Sequence, residues 1–536
     1  MAAYMHVSSP TGVVGILTGL LVLYAVSRCV YNLYFHPLRN YPGPFLHRVT
    51  RLAWVWRLLR GTMSFDVLEF HNKYGPVVRV APDELAFLDA QGWSDIYGHR
   101  TGSKAGTEEL SKALVFYLPK GQAPAITTEN RENHTVLRRL MSHGFSERSM
   151  REQEPIIGGY VDLLIQRMRE RCVESDAYSD EPLAGDAEKQ GRPKAIDLRQ
   201  WYNFTTFDII GDLAFGEPFG MLENARYDSW VELITETMRT LVVLAGFRYL
   251  GLETVLAPFL WFVQRSRREH LHRVKEKLER RMALDVERPD FIEGLLKKKD
   301  EWNLSLDRLQ SNANTLIVAG SETTATLLTG VTYLLLSHPE ALKKVTAEVR
   351  TAFAAEEDIT LTSVGKLTYM LACLNEAMRC YPPVPIGLPR VVGRGGTTIA
   401  GHEVPEKTYV ACWQYAQYHS TANWTEPFEY KPERFLEGSK NPADRHDTLQ
   451  PFSVGPRNCI GRKYVSGHHP CLSIPIEERV TNLFPSLAYA EMRLILAKIL
   501  YNFDMRLADP NFNWLDQKAY LLWNKPALNV YLTPVR

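Results

Sequence analysis

The stretch Pro451-Phe452-Ser453-Val454-Gly455-Pro456-Arg457-Asn458-Cys459-Ile460-Gly461 places one cysteine in a loop built for close backbone approach. Gly455 and Gly461 permit positive φ, and Pro456 stiffens the turn between them. Amides around Cys459 can then face its sulfur and favour the thiolate, the form that binds a metal. Arg457, two residues before the cysteine, adds a permanent cation suited to a carboxylate of a large cofactor. A lone loop cysteine is most often a small packed side chain. The glycines, proline and arginine spaced around this one argue for a ligand.

Composition narrows the alternatives. A length of 536 residues suggests about three domains as a soft prior. The net charge of +1 gives no electrostatic case for nucleic-acid binding. Seven cysteines, an odd number without paired metal-site spacing, fit a reducing, cytosol-facing environment better than a secreted one.

At the N-terminus, Thr11 to Val26 is apolar apart from small residues, and Cys29-Val30-Tyr31 extends it towards the roughly 20 residues that cross a bilayer. Residues 1–35 are read as a single membrane anchor and 36–536 as the domain it carries. A cleaved signal peptide is the competing reading, but Met1 to Pro10 holds no Lys or Arg and no small-x-small cleavage site follows. Arg28, Arg39, Arg48, Arg51, Arg57 and Arg60 follow the apolar run, which orients the remainder towards the cytosol. Pro37, Pro42 and Pro44 make a stiff connector, and Phe45 to Arg60 has the pattern of an amphipathic helix at the membrane surface.

Further along, Tyr74 to Ala86 reads as a hairpin. Arg131 to Met141 is helical in pattern, with His134 and Arg138 at i, i+4 on one face. Glu174 to Lys194 is polar and aperiodic, an exposed loop. Trp201 to Phe215 and Trp230 to Val263 are apolar and helical, either core or the roof of a pocket. Leu309 to Ser337 lacks proline and predicts one helix of about 29 residues, about 43 Å long. Near its middle lies Ala319-Gly320-Ser321-Glu322-Thr323-Thr324, where glycine and a threonine able to bond back to the carbonyl of Ala319 predict a local opening. Leu371 to Arg379 predicts another helix carrying Glu376 and Arg379 at i, i+3.

Taken together, these motifs resemble those of the cytochrome P-450 family. Phe452-x-x-Gly455-x-Arg457-x-Cys459-x-Gly461 is similar to its haem-binding signature, and Ala319 to Thr324 matches its (Ala/Gly)-Gly-x-(Asp/Glu)-Thr-(Thr/Ser). Glu376-x-x-Arg379 with Pro432-Glu433-Arg434-Phe435 resembles its buried triad. Tyr34 to Leu38, Ser94 to Arg100 and Ser142 to Ser146 look like filamentous-fungal members. The resemblance implies a mainly α fold with small β-sheets behind one N-terminal transmembrane helix, and haem b ligated axially by Cys459. Phe452, Arg457 and Gly461 then belong to the haem site. Arg138 and Arg390 are implied propionate contacts, as is His134, which stands where tryptophan is commoner in the family. Val384 to Leu388 passes beside the haem. Glu322 and Thr323 are the implied acid and alcohol of a proton relay, and Glu376, Arg379 and Arg434 a structural lock.

The activity implied is monooxygenation, by hydroxylation or epoxidation, of a lipophilic fungal secondary metabolite such as a polyketide or terpenoid. Electrons would come from NADPH through a cytochrome P-450 reductase in the endoplasmic reticulum membrane, with cytochrome b5 as a further donor. Arg138, Arg139 and Arg462 are its expected docking charges. Two other readings stand beside this one: a haem-thiolate isomerase or dehydratase, and an inactive product.

The inactive product is suggested by a departure from the family. Cys459-Ile460-Gly461-Arg462 and Leu487-Ala488-Tyr489-Ala490-Glu491-Met492-Arg493 are both familiar, but 24 residues, Lys463 to Ser486, separate them where one Asn is expected. Pro470, Pro475 and Pro485 prevent that segment from extending the helix. Lys463-Tyr464-Val465 can be encoded with a donor-like GTAYGT, Thr481-Asn482 with a branch-point-like CTAAC, and Ser486 with an AGY codon that ends an intron in AG. Excision removes 69 nucleotides, keeps frame and leaves an Asn codon. Lys463 to Ser486 therefore reads as a retained intron, with a true loop insertion as the alternative. His468, His469 and Cys471 are accordingly not taken as metal ligands.

Overall fold

Pro10 to Phe35 is an apolar helical run of 26 residues, mean hydropathy 2.0, tied to the packed body near its end, where Asn32 is buried and donates to the Val49 carbonyl at 2.8 Å. It consists of α1 (Pro10–Val30), none of it buried, and a π-helical turn, Tyr31–Phe35. Its length and composition make it a candidate membrane anchor. The computed structural model describes residues 10–104, 107–117, 122–172, 194–256, 261–284, 288, 290–439, 441–462 and 487–535. The polar loop expected over 174–194, except Lys194, and the segment 463–486 lie outside these.

Beyond the connector, the expected amphipathic helix is divided. Phe45–Val49 ends at Thr50, whose hydroxyl accepts from the amide of Leu52 at 3.2 Å and starts α2 (Arg51–Arg60). Leu52 and Trp56 are exposed on α2 while Trp54, Val55 and Leu58 are buried. Arg51 corrects the charge count of the anchor flank. It is buried, bridges Asp83 at 2.5 Å and Glu84 at 2.7 Å, and lies 4.4 Å from the ring centroid of Tyr249. Desolvating a guanidinium is tolerable only with such partners, so Arg51 acts in the fold and not at a membrane surface.

The expected hairpin forms as β1 (Val77–Ala81) and β2 (Glu84–Phe87). With β3 (Ser111–Lys112), β5 (Arg390–Val391) and β6 (Tyr409–Cys412) it makes a five-stranded sheet, order β1-β2-β6-β5-β3. β4 (Ala195–Asp197), β7 (Phe503–Leu507) and β8 (Asn529–Pro534) form a second sheet, order β4-β8-β7. This arrangement brings Lys112 and Arg390 into register on neighbouring strands.

Among the helices that position the site are α3 (Arg131–Ser142), α4 (Glu147–Arg171), α5 (Leu198–Phe215), α6 (Leu306–Leu336), α7 (Thr368–Cys380) and α8 (Leu487–Asn502). Asn130, Ser146, Asp197 and Ser305 cap α3 to α6 with side-chain oxygens. α5 and α6 lie against each other, the Tyr202 hydroxyl hydrogen-bonded to Thr332 at 2.7 Å. The apolar run expected from Trp230 to Val263 is two helices, Ser229–Tyr249 and Trp261–Ala283, with a short turn Glu253–Leu256 between.

α6 is continuous through Gly320, contrary to the expected opening. The hydroxyls of Ser321, Thr323 and Thr324 do bond back to the carbonyls of Ile317, Ala319 and Gly320, at 2.5, 2.7 and 3.1 Å. Such bonds add to the helical ladder without replacing it, and packing on buried faces keeps the helix closed.

Candidate active site

The cysteine loop is held by backbone geometry. Gly455 has φ of +77° and sits against Tyr97, where a Cβ would come within 2.0 Å of the carbonyl oxygen. No other residue fits there. Ser453 also has positive φ, 58°. Gly461 is not in the left-handed region, a correction to the expectation. It stays close to the sulfur, a Cβ there lying 3.6 Å from Sγ of Cys459. The Cys459 amide donates to the carbonyl of Phe452 at 2.9 Å, closing the loop. Phe452 in turn packs on Tyr489 of α8.

Cys459 is exposed by area, yet desolvation pushes its thiol up. The two facts agree for a sulfur that borders a space inside the protein. Amide hydrogen bonds from Gly461 and Arg462 and the charges of Arg138 and Arg462 pull the other way. A metal ion taking the place of the thiol proton would gain from the same amides and charges.

Around this loop the fold assembles basic residues from four segments. Arg138, on α3, donates to the Asn458 carbonyl at 2.6 Å and to its Oδ1 at 2.5 Å. Arg457 donates to Glu109 at 2.8 Å with both side chains largely buried. Arg390 donates to the carbonyl of Leu110 at 3.0 Å. Lys112 joins them: burial, then the charges of Arg390 and Arg457, hold its ammonium well below the usual range. His134 is buried one turn before Arg138. Burial first, then Arg457, Arg138, Lys112 and Arg390, bring its ring down to about 3, so it is neutral near pH 7. Against these cations stands Glu109, while Nη1 of Arg457 and Nε of Arg390 are buried without a hydrogen-bond partner among the described residues.

That donor set fits haem. Guanidinium groups with unused N–H bonds suit its two carboxylates, and a thiolate among amides suits its iron. Lys112, Glu109 and Asn458 were missed at the level of sequence. Asn458 adjoins the cysteine and was visible, whereas Lys112 and Glu109 carry no signal outside the tertiary structure.

On α6, Ala319 is exposed and Thr323 half-buried although most of their neighbours are buried, so this face borders open space within the molecule. Glu322 faces elsewhere. Its Oε2 accepts from Nζ of Lys525 at 3.0 Å, both side chains buried, and Oε1 has no hydrogen-bond partner among the described residues. No hydrogen bond joins Thr323 to Glu322 or to the cysteine loop among the described residues. The expected relay pair is adjacent in sequence but not bonded.

The expected lock is assembled. Arg379 makes a two-bond fork on Glu376, 2.8 Å at each oxygen, and Arg434 lies 3.3 Å from the same carboxylate, all three buried. Arg379 also donates to the carbonyls of Tyr418, Pro427 and Glu429 at 2.9, 2.5 and 2.9 Å. Sequence reasoning missed a fourth member, Asp444, which binds Arg434 at 2.6 Å and balances the second guanidinium.

Residues 42–464 match the family model described as Cytochrome P-450, a match that ends two residues into the segment 463–486. The chain is 46% identical to cytochrome P-450 monooxygenase tpeC of Talaromyces stipitatus, over 96% of this chain and 94% of that protein. It is 42% identical to cytochrome P-450 monooxygenase prhB of Penicillium brasilianum, over 97% and 98%. Trichothecene C-15 hydroxylase of Fusarium sporotrichioides is 40% identical over 96% and 97%. The cysteine loop, its ring of cations and this likeness along almost the whole chain lead to one identification: the protein belongs to the cytochrome P-450 family, monooxygenases that hold haem by a cysteine thiolate and draw electrons from a redox partner.

Proposed function

We propose that the protein inserts one oxygen atom from O2 into a lipophilic fungal secondary metabolite of polyketide or terpenoid type, with Cys459 as the axial ligand. The observation that carries the site assignment is the convergence of Arg138, Arg390, Arg457 and Lys112 around the Cys459 loop with buried donors unused. A relative named for hydroxylation of a trichothecene supports hydroxylation as the reaction. When bound, the haem supplies O2 reduction and transfer of one oxygen atom.

The chain's own residues do the rest. Amides of Gly461 and Arg462 stabilise the Cys459 sulfur as an anion. Arg138, Arg390 and Arg457, with neutral His134, orient the haem carboxylates, and Phe452 packs beside the ligand loop. Thr323 presents a hydroxyl on the open face of α6, and Glu322 supplies a carboxyl for proton delivery. Glu376, Arg379 and Arg434, with Asp444, hold the supporting face rigid. NADPH reaches the enzyme through a cytochrome P-450 reductase, with cytochrome b5 as a second donor, both at the endoplasmic reticulum membrane where α1 anchors the chain. Arg139 is exposed and Arg462 partly exposed, so both are open to an acidic face of that partner.

The test is turnover of the full chain with reductase and NADPH under oxygen-18 gas, screened against extracts from strains expressing the neighbouring genes. One labelled oxygen per product supports the reading. Product formed without O2, or labelled from water, overturns it in favour of isomerase or dehydratase chemistry.

A further inference from the structure

Glu322 and Thr326 stand one helical turn apart on α6, and a single ammonium spans both. Nζ of Lys525 donates to Oε2 of Glu322 at 3.0 Å and to Oγ1 of Thr326 at 2.7 Å. Lys525 lies in the last loop of the chain, between the bridge Ala519–Trp523 and β8. That loop is pinned on several sides. The Lys525 carbonyl accepts from Arg199 at 3.1 Å, the Leu528 amide donates to Asp197 at 2.9 Å, and the Trp523 indole donates to the Pro382 carbonyl at 2.7 Å. The ammonium is therefore delivered from a fixed backbone.

Thr323 follows Glu322 by one residue, about 100° around the helix, and its hydroxyl is committed to the Ala319 carbonyl at 2.7 Å. Lys525 thus fixes the acid on a different face from the alcohol. The second oxygen of Glu322, Oε1, is buried and has no hydrogen-bond partner among the described residues, an arrangement that costs free energy and calls for an explanation. The nearby phenols of Tyr227 and Tyr381 offer no alternative proton source, since burial pushes both up and the charge of Glu322 adds to it.

We propose that Lys525 is a positioning residue that clamps Glu322 by Oε2, leaving Oε1 as the oxygen that takes a proton from the solvent side and passes it towards the Thr323 face. The inference rests on the reading of Glu322 as the acid of the relay. Each cycle returns Glu322 to the carboxylate, no electron moves through it, and the net event is transfer of one proton from solvent to the reaction side. Without Lys525 the buried carboxylate loses its counter-ion and the contact that fixes its orientation.

The experiment compares wild type, Lys525→Met, Glu322→Gln and the double variant as full-length membrane-bound enzyme with reductase. The readouts are product per NADPH, the solvent deuterium isotope effect on turnover, and thermal unfolding. Lys525→Met is expected to lower turnover on the order of tenfold and to raise the isotope effect to that of Glu322→Gln. In unfolding, Lys525→Met should cost stability in the wild-type background and much less beside Glu322→Gln. Wild-type coupling and isotope effect in Lys525→Met, with Glu322→Gln impaired, overturn the clamp. No effect of Glu322→Gln overturns the acid assignment itself, whatever Lys525→Met does. Should Lys525→Met fail to fold, Lys525→Gln, which removes the charge but can hydrogen-bond Thr326, carries the same comparison.

Discussion

The guanidinium of Arg138 forks onto Asn458, at 2.6 Å from its carbonyl and 2.5 Å from Oδ1, so a residue of α3 grips the chain one position before Cys459. The fork is a shape that lysine cannot copy. Arg138→Lys is expected to keep the charge and lose the grip, speeding haem transfer to an apomyoglobin acceptor about tenfold, equivalent to about 1.5 kcal/mol for a charge-assisted bond. An unchanged transfer rate would show that Arg138 contributes only charge.

Cys459→Ser is expected to abolish the red-shifted Soret band of the reduced carbonyl complex. A serine hydroxyl does not supply the electron donation of a thiolate. The spectrum of the reduced, CO-treated variant checks this, and a retained band would remove Cys459 as the ligand.

Thr323→Ala removes the hydroxyl on the open face of α6 and the bond to Ala319. Haem content should be unchanged while product per NADPH falls several-fold and hydrogen peroxide rises to match. Peroxide and product measured in the same reaction decide it; a wild-type yield excludes the alcohol from the relay.

Glu376→Ala leaves Arg379 buried without a carboxylate and deprives Arg434 of one of its two. Breaking a buried pair in this way costs about 3–5 kcal/mol. Glu433→Ala, by contrast, removes the partly exposed bridge to Lys344 and should cost about 0–1 kcal/mol. Denaturant midpoints of the two variants, measured side by side, should differ clearly. Equal midpoints would mean the triad does not support the cysteine face.

For the segment 463–486, processed mRNA across this interval is expected to be 69 nucleotides shorter than the genomic sequence. A chain with one Asn in place of these residues should bind haem better than the full chain, because the cysteine loop is then joined directly to α8, whose first turn packs on Phe452 through Tyr489, and its positive N-terminal end is tied near the sulfur. Transcripts that all retain the segment, with full activity, would establish it as a true insertion.

Much of this protein was legible in contiguous residues. The cysteine loop, the α6 motif, the Glu376–Arg379 pair and the apolar run before Phe35 each state a local requirement: positive φ at Gly455, a helical face, a spacing of three, a bilayer's thickness. Such requirements involve the backbone or neighbours a few positions away, so short motifs express them. The partners of charges were a different matter. Lys525 is 203 positions from Glu322, and Glu109 is 348 positions from Arg457. The placement of Arg51 inside the body, the fourth member Asp444 of the buried lock, and the separation of Glu322 from Thr323 were likewise decided only in three dimensions. The physical reason is desolvation. A charge drawn into the interior requires whichever opposite charge or hydrogen-bond partner the tertiary packing brings beside it, and linear spacing carries no record of that neighbour.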